Sequence, residues 1–225
     1  MEDLNLTHYF VMPERNEALF NAILTGKNVD AKRLVQEALD LGSTPQDLIA
    51  DSMIPAMDEA GARFEAHKFF VPQLMIAARA MKESLAVLSP LLAASGSEPI
   101  GKVVIGTVMG DMHDIGKNLV ASMLEGAGFQ VIDLGTNVTP EKFVKALQDN
   151  QAEILSMSAL LTTTMPAMRK TIEALIAANM RDSVRVMIGG APVTQSYADE
   201  IGADGYSDNA NAAVTLARKL IAEMP

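Results

Sequence analysis

Apolar positions between residues 14 and 92 recur every three or four residues, the spacing of an amphipathic helix. Leu19, Phe20, Ile23 and Leu24 form one stripe, stopped by Gly26. Leu34, Val35, Ala38 and Leu39 form a second, stopped by Gly42, a residue type that tolerates the positive φ of a helix end. Thr44 followed by Pro45 reads as an N-cap and a first helical position. The third stripe then runs through Leu48, Ile49, Met53 and Met57, with Pro55 expected to kink it. A fourth begins near Pro72 and continues through Leu74, Met75, Met81, Leu85 and Leu88. Four such helices with short connections predict an up-down bundle over residues 1–92. The small, polar, proline-closed stretch that follows predicts a linker over residues 93–101.

Beyond the linker the period changes. Short β-branched or apolar runs at 102–108, 129–134, 152–157 and 184–188 alternate with helical segments at 115–127, from Thr139, at 166–178 and at 211–224. A weak fifth strand is expected near 204–207. The alternation predicts an α/β unit over residues 102–225, with a parallel, doubly wound sheet. Sheets of this kind bind ligands beyond the carboxyl ends of their strands, so the loops after the strands are where chemistry is expected.

Composition narrows the function classes. Apolar residues make up 49% of the 225 and charged ones 20%, enough to build cores and too apolar for a disordered chain. No apolar stretch approaches the ~18 residues of a membrane span. Glu2 and Asp3 stand where a signal peptide would be basic. With 18 basic against 28 acidic residues the net charge is −10, which supplies no basic footprint for nucleic acid or a membrane surface. There is no cysteine, hence no disulfide, thiolate metal site or cysteine nucleophile. A cytoplasmic protein is expected, with neither nucleic acid nor membrane among its partners.

The loop after the first strand, from Gly106 to Asn118, carries Gly110, Asp111, Met112, His113, Asp114, Gly116 and Lys117. It is not a P-loop, because its glycines are one residue too far apart and Asn118 replaces the hydroxyl that would hold magnesium. No dinucleotide fingerprint is present. A phosphoacceptor receiver would need an aspartate after the third strand, where Ser156, Met157 and Ser158 stand. His113 is one of three histidines and is flanked by Asp111 and Asp114. A carboxylate on one ring nitrogen fixes the tautomer and raises the basicity of the other, which suits a metal ligand. The competing reading is a loop histidine that caps the next helix. Zinc is disfavoured, since His8 and His67 lie in the other half and no thiolate exists. A single histidine suffices only for a metal that arrives already ligated, as in a macrocycle.

Asp111-x-His113-x-x-Gly116, then 41 residues, Ser158-x-Leu160, then 28 residues and Gly189-Gly190, resembles the cobalamin-binding signature. Methionine synthase and the corrinoid proteins of methanol, methylamine and methoxyarene methyltransferase systems carry it. In the helical half, Gly61-Ala62-Arg63-Phe64-Glu65 and Phe69-Phe70-Val71-Pro72 resemble the cap module of the same family. His67 departs from the small residue more usual there.

The resemblance implies a four-helix-bundle cap followed by a Rossmann-like, flavodoxin-like cobalamin-binding domain with a five-stranded parallel sheet. It implies a cobalamin or related corrinoid bound base-off and histidine-on, with His113 as lower axial cobalt ligand. Asp111 would hydrogen-bond the far ring nitrogen and Thr164 would extend the chain; the alternative for Thr164 is an N-cap of the following helix. Ser158 and Thr162 match hydroxyls along the buried nucleotide tail, Leu160, Gly189 and Gly190 its channel, and Gly110, Met112, Asp114, Gly116 and Ala210 further cofactor contacts. Phe64 and Val71 match apolar cap residues above the cobalt.

The implied activity is methyl carriage. Cobalt(I) accepts a methyl group from a substrate-specific methyltransferase. The methylated cofactor, methylcobalt(III), donates it to a second methyltransferase that uses tetrahydrofolate or coenzyme M, and a reductive activase completes the partner set. The rival readings are a cobalamin-binding sensor without methyl transfer, a mutase subunit, and a flavodoxin-like module that binds no corrinoid.

Overall fold

The structure, a computed structural model, describes residues 15–95 and 99–224. The expectation about the first ten residues, and part of the expected linker, lie outside them. Helix α1 (Glu17–Leu24) is capped by Asn16, whose side chain accepts the N–H of Leu19. Helix α2 (Asn28–Asp40) follows. The turn α3 (Pro45–Asp47) starts as expected, with the Thr44 hydroxyl accepting the Asp47 N–H at 3.1 Å. It continues through a π-helical stretch (Leu48–Met53) into α4 (Ile54–Glu65). Where a kink was expected at Pro55, the helix widens instead: the π-helical turn lets the Ile54 N–H reach back to Ile49 O and gives the proline ring room. Helix α5 (Val71–Ser95) runs 25 residues, entering the stretch expected to be a linker.

The second half alternates strictly. Its elements are β1 (Lys102–Thr107), α6 (Ile115–Gly126), β2 (Gln130–Asp133), α7 (Pro140–Asn150), β3 (Ile154–Ser158), α8 (Pro166–Ala177), β4 (Arg185–Gly189), α9 (Gln195–Ile201), β5 (Gly205–Ser207) and α10 (Ala210–Ala222). Helix α9 has no counterpart in the sequence reading; its seven residues are opened by the Thr194 side chain, which accepts the Tyr197 N–H. The five strands pair in parallel in the order β2-β1-β3-β4-β5. Their register puts Thr107 beside Ser158, Ser158 beside Gly189 and Gly189 beside Ser207, one row across the carboxyl ends.

Alternation along each strand divides the core. Val104, Leu155, Met157, Val186 and Ile188 pack on the α7/α8 side with Phe143. Val103, Ile154 and Met187 face α6 and α10, and there the core continues without a break into Leu19, Ile23, Met57, Leu74 and Met81 of the helical half. Burial of each such side chain contributes roughly 1.5–3 kcal/mol. Polar contacts stitch the same seam: Lys82 to Glu125 at 2.9 Å, Arg218 to Asp58 at 3.0 Å and Asn211 Nδ2 to Glu65 Oε1 at 2.9 Å. Gly61 lies so close to Asn211 that a Cβ there would sit 1.9 Å from Asn211 Oδ1. Among the described residues no helix is long and apolar enough to cross a membrane.

Candidate functional site

In a 2-1-3-4-5 sheet the strand order reverses between β1 and β3, and ligands bind at that switch point. The two loops that meet there, 108–114 and 159–165, are joined through one carboxylate. Asp111 is wholly buried. Its Oδ1 accepts the His113 N–H at 3.1 Å and lies 2.7 Å from His113 Nδ1. Its Oδ2 accepts the N–H groups of Leu160 at 2.8 Å and Leu161 at 3.3 Å and the Thr164 hydroxyl at 2.7 Å.

Burial alone would raise the Asp111 pKa. Hydrogen bonds from Thr164, from the N–H groups of His113 and Leu160 and from the His113 ring outweigh it and hold the carboxyl well below its usual range. An ionised carboxylate only accepts, so Nδ1 carries the ring proton and Nε2 is left as the free nitrogen. The His113 side chain is half exposed, at 50%. The Thr164 hydroxyl also reaches Leu161 O at 2.8 Å. It does not cap the next helix, whose N-cap is Met165 with no side-chain bond; of its two expected roles, the geometry realises the link to Asp111.

Beside His113 opens a cavity of about 590 Å³. Met112, His113 and Asp114 line it from the loop after β1, Gly116 from the first turn of α6, and Ser158 and Leu160 from the end of β3. Gly189 ends β4 and Gly190 follows it, Ala210 opens α10, and Phe64 reaches in from α4 of the helical half. Asp111 and Thr164 stand behind the histidine. Besides these two, three expected residues do not line the cavity: Gly110, Thr162 and Val71, all exposed. Gly190 adopts φ +126°, and a Cβ there would fall 1.9 Å from Ala159 O, so only glycine fits. His67 follows α4 at φ 56°, a left-handed conformation that few non-glycine residues adopt; it is exposed and does not line the cavity.

Sequence reasoning missed Lys117 and the segment Ser207-Asp208-Asn209, all on the cavity wall. Lys117 is 3% exposed and its ammonium is paired with Asp133 and with Asn118 Oδ1 at 2.6 Å. Its place directly after Gly116 was the available signal. The weak fifth strand expected near 204–207 was the available signal for the second, since Ser207-Asp208-Asn209 lies at its carboxyl end.

No group of three or more His, Cys, Asp or Glu is arranged to hold a metal ion among the described residues. His113 therefore fits a metal only as one ligand of an ion otherwise held. The exposed apolar surface of Met112 (68%), Ile115 (77%) and Leu160 (42%) suits a large, flat, apolar-edged group.

The family model described as B12 binding domain matches residues 101–215, and a second of the same description matches residues 15–89. A corrinoid protein of Desulfitobacterium hafniense (strain Y51) is 42% identical over 208 residues, 91% of this chain and 96% of that protein. Dimethylamine corrinoid protein 1 of Methanosarcina acetivorans is 42% identical over 207 residues, 92% of this chain and 97% of that one. Among solved structures, the methanol:cobalamin methyltransferase complex of Methanosarcina barkeri superposes with a TM-score of 0.82 at 30% identity, covering 92% of this chain and 79% of that one. A cobalamin-binding protein of Desulfitobacterium hafniense DCB-2 gives 0.76 at 30% identity, covering 91% and 97%. With both modules matched and nearly the whole length shared, the chain belongs to the B12-binding corrinoid protein family.

Proposed function

We propose that the chain is the methyl-carrying corrinoid subunit of a methyltransferase system, loaded by a substrate-specific methyltransferase and unloaded by a second one. The observation that carries the reading is the Thr164–Asp111–His113 chain, which ends in a free ring nitrogen beside a cavity lined by both halves of the molecule. Relatives named for dimethylamine and the methanol:cobalamin methyltransferase complex support the choice of system.

When bound, the corrinoid supplies a cobalt centre that takes up and gives up a methyl group. The chain's own residues do the rest. His113 offers Nε2 as the lower ligand, base-off and histidine-on. Asp111 holds the Nδ1 proton and orients the ring, and Thr164 fixes Asp111 from behind. Ser158 and the backbone of Gly189 and Gly190 line a path for the nucleotide tail, while Phe64 excludes water from the reactive face. The helical half serves as the cap and residues 102–225 as the cofactor domain. A reductive activase is the third partner, and the cytoplasm the compartment.

The test loads the protein with aquocobalamin, removes free cofactor by gel filtration, reduces it and supplies carbon-14 methyl iodide. One equivalent of corrinoid and of label should remain with the chain, and the label should leave only when a partner methyltransferase and its acceptor are added. Protein that elutes colourless refutes the reading. Protein that keeps cofactor but never releases label to any methyltransferase favours a sensor instead.

A further inference from the structure

We propose that Asn137, on the loop between β2 and α7, is a positioning residue that sets the reach of His113; the proposal rests on the reading of His113 as the axial ligand. The ligand loop is held from two sides. From one, Leu160, Leu161 and Thr164 grip the Asp111 side chain. From the other, Asn137 grips the backbone. Its Oδ1 accepts the Gly110 N–H at 2.8 Å and its own N–H donates to Asp111 O at 3.0 Å.

Asn137 is itself anchored. Val138 N–H donates to Thr107 O at 3.0 Å, Thr107 N–H donates to Gly135 O at 2.9 Å, and Val108 bridges Val138 in parallel. The β1–β2 ladder therefore extends past the ends of both strands, and Asn137 is its last rung before the histidine. The residue sits at φ 53°, and Gly110, which it holds, at φ 85°. Asparagine is among the few non-glycine residues that enter that region readily. Gly110, the most permissive residue of the ligand loop, is thus the one pinned by a side chain.

The consequence is preorganisation. If the loop samples other conformations, the population able to present His113 falls and the apparent strength of ligation falls by the same fraction. Loss of one neutral hydrogen bond lowers the ratio of competent to other loop conformations by about 2- to 12-fold.

Asn137→Gly removes the acceptor while keeping φ free, and Asn137→Asp keeps both the acceptor and the conformation. Two readouts decide. In the apoprotein, amide hydrogen exchange at Gly110 should speed up by about 2- to 12-fold in the glycine variant and stay near wild type in the aspartate variant. In protein loaded with cobalamin and reduced to cobalt(II), the ratio of imidazole-ligated to unligated cobalt, read by paramagnetic resonance, should fall, by up to the same factor, in Asn137→Gly only. Unchanged exchange and an unchanged ratio in Asn137→Gly overturn the proposal, as does an equal loss in both variants. A wild-type protein without imidazole ligation would instead overturn the underlying reading of His113, a result the glycine variant cannot mimic.

Discussion

Replacing Asp111 by asparagine tests the logic of the site, because it keeps the shape while removing the charge and turning one acceptor oxygen into a donor NH₂. Five donors converge on the carboxylate, two on Oδ1 and three on Oδ2. An amide must turn its NH₂ toward one set. Turned toward Leu160 and Leu161 it meets two backbone N–H groups that have no way to accept. Turned toward His113 it meets one backbone N–H and a ring nitrogen that becomes an acceptor by changing tautomer. The second arrangement leaves fewer donors unpaired, so it wins, and the proton moves from Nδ1 to Nε2.

A buried donor left unsatisfied costs about 1–3 kcal/mol. Restoring the Nδ1–H tautomer in Asp111→Asn therefore costs at least one such penalty. On the proposed reading it weakens histidine ligation roughly 5- to 150-fold, since about 1.4 kcal/mol is a factor of ten. Nitrogen-15 chemical shifts of the His113 ring in apoprotein report the tautomer without any cofactor. Wild type should show Nδ1–H with Nε2 bare, and Asp111→Asn should show the reverse. A variant that keeps the wild-type tautomer, or that binds aquocobalamin histidine-on with undiminished affinity, would refute the reasoning.

Other outcomes follow from single features. Gly190→Ala forces a Cβ against Ala159 O at a φ that L-residues avoid, and should lower stability by about 1–3 kcal/mol or more, read by urea unfolding. The Ser84 hydroxyl is wholly buried without a hydrogen-bond partner among the described residues. Ser84→Ala should therefore stabilise by about 1 kcal/mol, raising Tm by about 2–4 °C in calorimetry. Asp111 is depressed by its donors, and Glu83 is lowered to about 2 by hydrogen bonds from Arg79, Asn28 and Lys32. A depressed carboxyl contributes stability above its unfolded pKa and loses it as pH falls through the folded value. Unfolding in acid should thus begin below about pH 4.5 and steepen toward pH 2, and Glu83→Gln should flatten the profile. Gly61→Ala should displace Asn211 and break its bond to Glu65, loosening the seam between the halves, which limited proteolysis would detect.

Periodicity located the helices because each buries one face, the strands stood out as short apolar runs because helices cover both sides of the sheet, and proline and threonine marked the starts at Thr44 and Thr139. What it missed was short or long-range. Helix α9 spans seven residues, too few turns to rise above the loops around it, whereas the three-residue β5 falls where a weak fifth strand was expected. The π-helical stretch before Pro55 is a local repair that a proline announces without specifying. At the site, the spacing of Asp111, His113 and Gly116 carried the reading, whereas the choice between two uses of Thr164 depended on a bond across 53 residues. Val71 and Thr162 match a family pattern, yet both are exposed and off the cavity wall, because a motif fixes position along the chain and not the direction of a side chain. The unbroken core between the halves also had no linear signature, since Met57 and Met81 pack against Gly126 from distant parts of the chain.

The most direct measurement is electron paramagnetic resonance of the cobalt(II) protein, prepared once with ordinary histidine and once with nitrogen-15 histidine. Ligation by His113 predicts superhyperfine triplets that become doublets on labelling and disappear in His113→Ala. Triplets that persist unchanged in the labelled protein would place the cofactor's own base on cobalt and contradict the account.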